Sequence, residues 1–206
     1  MKVLPAILAT VVVVLGTTAA SWAGEGDQFG QRFAEQNCAW CHGGATFQGY
    51  TTAPRLAGQR PEYLMDELTS FKRHSRDNPL SAQNMWGAVQ RVNPDVARVV
   101  ATYIASLNAK PARDGYGDLQ GEGRSLYMGG NAATNVPACA VCHGPNAEGK
   151  GAVPRLGGLS YQYLERRLQE WGQGYHSSAA FPMQAVATQL SDRQIQSIAS
   201  YLSFVN

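Results

Sequence analysis

All four cysteines of this chain fall in two copies of one five-residue word. Residues Cys38 to His42 read CAWCH, and residues Cys139 to His143 read CAVCH. A Cys-x-x-Cys-His word is the attachment site of a c-type haem. Two thiols with two residues between them span one helical turn and reach both vinyl groups of a porphyrin, forming thioethers. The histidine that follows lies beneath the iron and offers it a neutral imidazole nitrogen. Cys38 and Cys41 are thus expected to tether one haem with His42 as ligand, and Cys139 and Cys142 a second with His143.

Three other chemistries use paired cysteines. Zinc ribbons place their two pairs much closer in sequence, and thioredoxin-like redox sites sit in a βαβ pattern that this chain lacks. Structural disulfides form in oxidising compartments. None of these explains a histidine directly after both second cysteines. With all four cysteines used, none remains as nucleophile, sulfur ligand or additional bridge.

The far side of each iron can stay open, take a histidine, or take a methionine, which raises the potential and suits an electron carrier. Met85 and Met183 stand at equivalent places in the two halves, each expected in a loop before the last helix. Met65 and Met128 have no counterparts and read as packing. His74 and His176 also occur once per half, each followed by serine, in polar stretches that read as surface loops. They are the rival ligands. A carbonyl near Pro54 and near Pro154 is placed to accept a hydrogen bond from the ligating imidazole. Arg55 and Arg155 are either partners for haem propionates or solvated surface cations.

The elements that must hold these residues repeat with them. APRLAGQRPEYL, from Ala53, matches VPRLGGLSYQYL, from Val153, and the segment from Asn84 to Leu107 matches that from Pro182 to Val205. Each half predicts three helices. One precedes the CxxCH word and carries Phe29 and Phe33, or Leu126 and Tyr127. The next starts near Pro61 or Ser160, with Leu64, Leu68 and Phe71, or Leu164, Leu168 and Trp171, at helical spacing. The last has Asn93 as cap and Pro94 as first residue, with a stripe of Val96, Val100, Tyr103 and Leu107. Its counterpart has Ser191 and Gln194 as a capping box, with Ile195, Ile198 and Leu202 facing inward. Three short helices offer little apolar surface for an independent core, so another apolar body is expected to fill each half.

Residues 1–23 read as a secretory signal peptide: Lys2, an apolar run from Val3 to Leu15, and Ser21-Trp22-Ala23 before the cut. The run is short for a membrane-crossing helix, and Pro5 interrupts it. An exported, periplasmic protein follows, with no integral membrane segment after cleavage and peripheral membrane association left open. Residues 24–108 and 121–206 read as two domains joined by a Pro-, Gly- and Asp-rich linker, 109–120. The 17 basic and 15 acidic side chains nearly balance, which gives no argument for a nucleic-acid partner.

Together the two CxxCH words, the PRLAGQ and PRLGGL segments, the paired methionines and the LSDRQIQSIASYL ending resemble the dihaem cytochromes c4. The resemblance implies an all-α fold: two tandem class I cytochrome c domains of short helices and loops, each wrapped around a covalent haem and related by a pseudo-twofold axis. It implies two haem c groups, with Cys38, Cys41, His42 and Met85 serving one, and Cys139, Cys142, His143 and Met183 the other. It further implies a periplasmic carrier of single electrons between respiratory donors and a terminal oxidase or other acceptor, without a substrate site. Half one departs from the family: CHGGATFQGYTTAPRL lacks the usual polar Gly-Asn-type sequence, and Trp86 follows Met85. The alternatives are a haem enzyme, either a peroxidase or a sulfur-compound oxidase, and a cytochrome subunit of a larger oxidoreductase.

Overall fold

The computed structural model describes residues 19–50, 52–176 and 182–206. Most of the expected signal peptide lies outside the described residues. Helices supply nearly all the regular structure, and the only bridges among the described residues are the isolated pairs Asn131–Val136 and Lys150–Val153. In chain order the first half holds α1 (Ala19–Asn37), α2 (Ala39–His42), α3 (Pro61–Lys72), α4 (Pro79–Ala88) and α5 (Pro94–Ser106). The second repeats them as α6 (Gln120–Gly129), α7 (Ala140–His143), α8 (Tyr161–Gly172), α9 (Met183–Ala187) and α10 (Asp192–Phe204). No helix among the described residues is long and apolar enough to cross a membrane.

Local chemistry sets the starts of the main helices. Proline occupies the first position of α3, α4 and α5, where its missing N–H costs nothing and its fixed φ suits the helix. Asn93 Oδ1 accepts from the Val96 N–H at 2.9 Å, and Ser191 and Gln194 complete the capping box on α10. The α5 stripe is rotated by a residue from the expected one. Ala97, Val100, Ala101 and Ile104 are buried, while Val96, Tyr103 and Leu107 pack on the flanks.

In each half the first and last helices cross at a glycine. A Cβ on Gly30 would overlap the Val99 carbonyl of α5, and one on Gly123 would overlap the Ser197 carbonyl of α10. The missing side chains let the backbones touch. Tyr127, Ala199 and Leu202 form the fully buried heart of the second half, and Ala34, Phe47 and Ala101 that of the first.

One expectation changes. Met85 lies inside α4, and Met183 opens α9, so neither stands in a loop. Of α4 only Ser81 is buried, and a helix without an apolar stripe leaves no periodic signal. The expected linker is firmly held. Arg113 N–H donates to Ser203 O at 2.9 Å and Tyr116 N–H to Ser200 Oγ at 3.1 Å, while Asp114 Oδ1 accepts from the Tyr161 N–H at the start of α8.

Candidate haem site

Each CxxCH word forms a single helical turn, α2 or α7. In α2 the cysteine spacing is closed by the His42 N–H bond to Cys38 O at 3.1 Å, and in α7 by His143 N–H to Cys139 O at 2.9 Å. Gly43, at φ 94°, then turns the first chain away in a conformation that other residues rarely adopt. The four thiols are not disulfide-bonded. Burial, reinforced by the neighbouring Cys41, pushes the Cys38 thiol up to about 11; burial does the same for Cys139. Among the described residues no three His, Cys, Asp or Glu side chains converge on a metal site.

Both histidines are buried and oriented alike. His42 Nδ1 donates to Pro54 O at 3.0 Å, and His143 Nδ1 to Pro154 O at 3.0 Å. The expected carbonyls are thus those of the two prolines themselves. Placing the proton on Nδ1 leaves the Nε2 lone pair free for a metal. Burial lowers both imidazole pKa values, with the proline carbonyl acting against it, so both rings are neutral near pH 7.

One continuous cavity of about 1400 Å³ is lined by all eight predicted residues: Cys38, Cys41, His42, Met85, Cys139, Cys142, His143 and Met183. Cavities for single small ligands hold roughly 300–1,000 Å³, so this one has room for more than one large group. Its walls repeat with the sequence: Leu56, Leu64, Leu68, Val100 and Ile104 in the first half, and Leu156, Leu164, Leu168, Ile198 and Leu202 in the second. Large, flat, mostly apolar bodies suit these walls. Arg76 and Arg167 also line the cavity, and Arg76 Nε is buried without a hydrogen-bond partner. The Arg76 guanidinium is paired with Glu67, but the unpartnered Nε–H is a spare buried donor that an acceptor must satisfy, and the carboxylates of a porphyrin provide one. The residues therefore fit the group.

The rival ligands separate. His74 lies on the surface, stacked on Trp86 with ring centroids 4.0 Å apart, and does not line the cavity. His176, expected in a surface loop, is only 4% exposed. Its backbone N–H donates to Asp77 Oδ1 at 2.8 Å, its ring stacks on Trp171, and it lines the cavity between the halves.

Neither repeated arginine pairs with a carboxylate. Arg55 Nη2 donates to Gln48 Oε1 at 2.8 Å and to Lys110 O at 2.9 Å. Arg155 straps the halves together: it donates to Gly58 O at 3.2 Å, Ala57 O at 2.9 Å, and the Gly157 carbonyl. Burial and the nearby Arg55 push its pKa down to about 10. Gln59 completes the strap, its Nε2 donating to Arg155 O at 3.0 Å and its Oε1 accepting from Arg155 N–H at 2.8 Å. Deeper in the seam, Arg76 pairs with Glu67, Arg167 pairs with Glu170, and Asn78 Nδ2 donates to Glu170 Oε1 at 3.1 Å. Motif reading missed these seam residues. Their one sequence signal was Tyr63 and Tyr163, which recur in the paired EYL and QYL segments.

Comparison with known proteins agrees with this geometry. The cytochrome c family profile matches residues 122–205. Cytochrome c4 of Azotobacter vinelandii is 30% identical over 205 residues, covering 95% of this chain and 96% of that protein. A thiosulfate dehydrogenase electron acceptor of Thiomonas intermedia is 32% identical over 204 residues, covering 95% and 88%. The crystal structure of reduced recombinant cytochrome c4 from Pseudomonas stutzeri superposes with a TM-score of 0.76 at 26% identity, covering 87% of this chain and 98% of that one. With two attachment words, two helical halves and relatives alike over nearly their whole length, the chain belongs to the cytochrome c4 family, electron carriers with two covalently bound haem c groups.

Proposed function

We propose that this protein is an exported, periplasmic carrier of single electrons between protein partners, with residues 24–108 and 121–206 each enclosing one haem. His42 and Met85 bind the first iron, and His143 and Met183 the second. One observation carries the reading: in both halves the imidazole Nδ1 is committed to a proline carbonyl at 3.0 Å, and a methionine lines the same cavity. The haem supplies the one-electron chemistry. The chain fixes the imidazole tautomer, keeps the pocket apolar, and provides a sulfur ligand that favours a high potential. A methionine in each half also denies peroxide or oxygen a vacant iron site.

Relatives named as electron acceptors of thiosulfate dehydrogenase support a dehydrogenase of that class, or a respiratory complex, as donor; a terminal oxidase is the acceptor class. Docking is expected to be small and transient, as in most redox encounters. A spectroscopic redox titration tests the reading. It should show two one-electron steps, low-spin c-type spectra, and a weak far-red band from sulfur ligation that Met183→Ala reduces by about half. Alkaline pyridine should count two haems per chain. Rapid peroxide turnover, or a far-red band untouched by Met183→Ala, would refute it.

A further inference from the structure

Trp86 follows Met85 directly, and its indole is held from two sides. Its Nε1–H donates to Arg76 O at 3.0 Å, and its ring lies on the imidazole of His74, with centroids 4.0 Å apart and planes 12° from parallel. Trp86 and Met85 both pack against the cluster of Phe71, Val89, Val92 and Ala97. The residue that receives the indole is itself anchored. The Arg76 guanidinium pairs with Glu67, lies over the Phe71 ring at 4.9 Å, and reaches Tyr163 of the second half at 3.4 Å. Among the described residues the second half does not repeat the device. Gln184 follows Met183, and His176 stacks on Trp171 of α8 at 4.8 Å.

We propose that Trp86 is a positioning residue for the first haem: by holding α4 to the Arg76 segment, it sets where the Met85 sulfur stands and resists its withdrawal, a restraint not built the same way at the second haem. The inference rests on Met85 being the iron ligand. A thioether is a neutral ligand on a flexible side chain, so its grip depends on how far its backbone moves. Losing one ordinary hydrogen bond, worth ~1 kcal/mol, makes such movement about fivefold more frequent.

The test uses the haem-loaded protein with imidazole added as a competing ligand. Replacement of sulfur is followed at each iron through the hyperfine-shifted methyl signals of the two methionines, and Met85→Ala assigns one of them by removing it. Trp86→Phe keeps a ring but loses the donor, and is expected to speed replacement at the first haem about fivefold, leaving the second unchanged. Trp86→Ala loses both contacts and should act more strongly, with His74→Ala, a surface change that removes only the stack, also speeding the first haem alone. The potential of the first haem should fall in the same order across the Trp86 variants. Parent-like rates and potentials in all three variants, or equal acceleration at both haems, would overturn the proposal. If both methionine signals survive Met85→Ala, the ligand assignment itself is what fails.

Discussion

His176 shows how much one side chain depends on its surroundings. Burial first, and then the cationic Arg76 and Arg167, push its pKa from 6.5 down to about 3, with Asp77 acting in the opposite direction. Glu67 Oε1 stands 4.0 Å away, and Trp171 covers one ring face. The folded protein therefore keeps this ring neutral where the unfolded chain protonates it. Below the unfolded value, proton uptake favours the unfolded state. The sign follows: the contribution of His176 to stability is fully present above pH 6.5 and is lost as the pH drops from there to about 3. His176→Gln removes the titrating group, so its acid-unfolding profile should be flatter across that window than the parent's. Denaturation midpoints at a series of pH values check this, and parallel profiles would refute it.

At the scale of elements, each half depends on a crossing that only glycine permits. Ala in place of Gly123 would drive a methyl group into the Ser197 carbonyl, and α6 and α10 would have to part. Overpacking of this kind costs about 1–3 kcal/mol, so Gly123→Ala should lower the denaturant midpoint while leaving both haems attached. Gly30→Ala should do the same at the crossing of α1 with α5. The capped helices were legible in the sequence because caps and stripes are written in neighbouring residues: Asn93 and Pro94 begin α5, and Ser191 and Gln194 begin α10. The crossing glycines were not, because what a glycine permits depends on the residue it meets on another helix. Nor was α4, whose inward side is mostly cavity wall.

For the whole molecule, the seam between the halves is polar and buried, and its best-paired part is the strap of Gln59 and Arg155. Gln59 pairs with both backbone groups of Arg155, as a neighbouring strand would, and the Arg155 guanidinium returns to the Ala57 and Gly58 carbonyls. Gln59→Ala leaves a buried N–H and a buried C=O unpaired, at about 1–3 kcal/mol for each group so stranded. The expected result is a lower Tm with two haems still bound, and a calorimetric transition that broadens as the halves lose contact. The repeat is imperfect here: Glu67 in α3 has Arg167 as its counterpart in α8, and each half neutralises its own buried charge, Arg76 with Glu67 and Arg167 with Glu170.

The sequence by itself determined the covalent chemistry, the twofold repeat and the capped helices, because each is set by residues adjacent in the chain: a thiol two residues from a thiol, a histidine beside it, a cap before a stripe. Only the tertiary structure decided that the acceptors near Pro54 and Pro154 are the proline carbonyls themselves, that Arg155 straps the halves, that His176 is buried, and that Trp86, beside Met85 in α4, donates to the Arg76 carbonyl. Those facts depend on which distant residues meet in a low-dielectric interior, where an unpaired polar group is costly and a paired one is held, and no local spacing encodes that meeting.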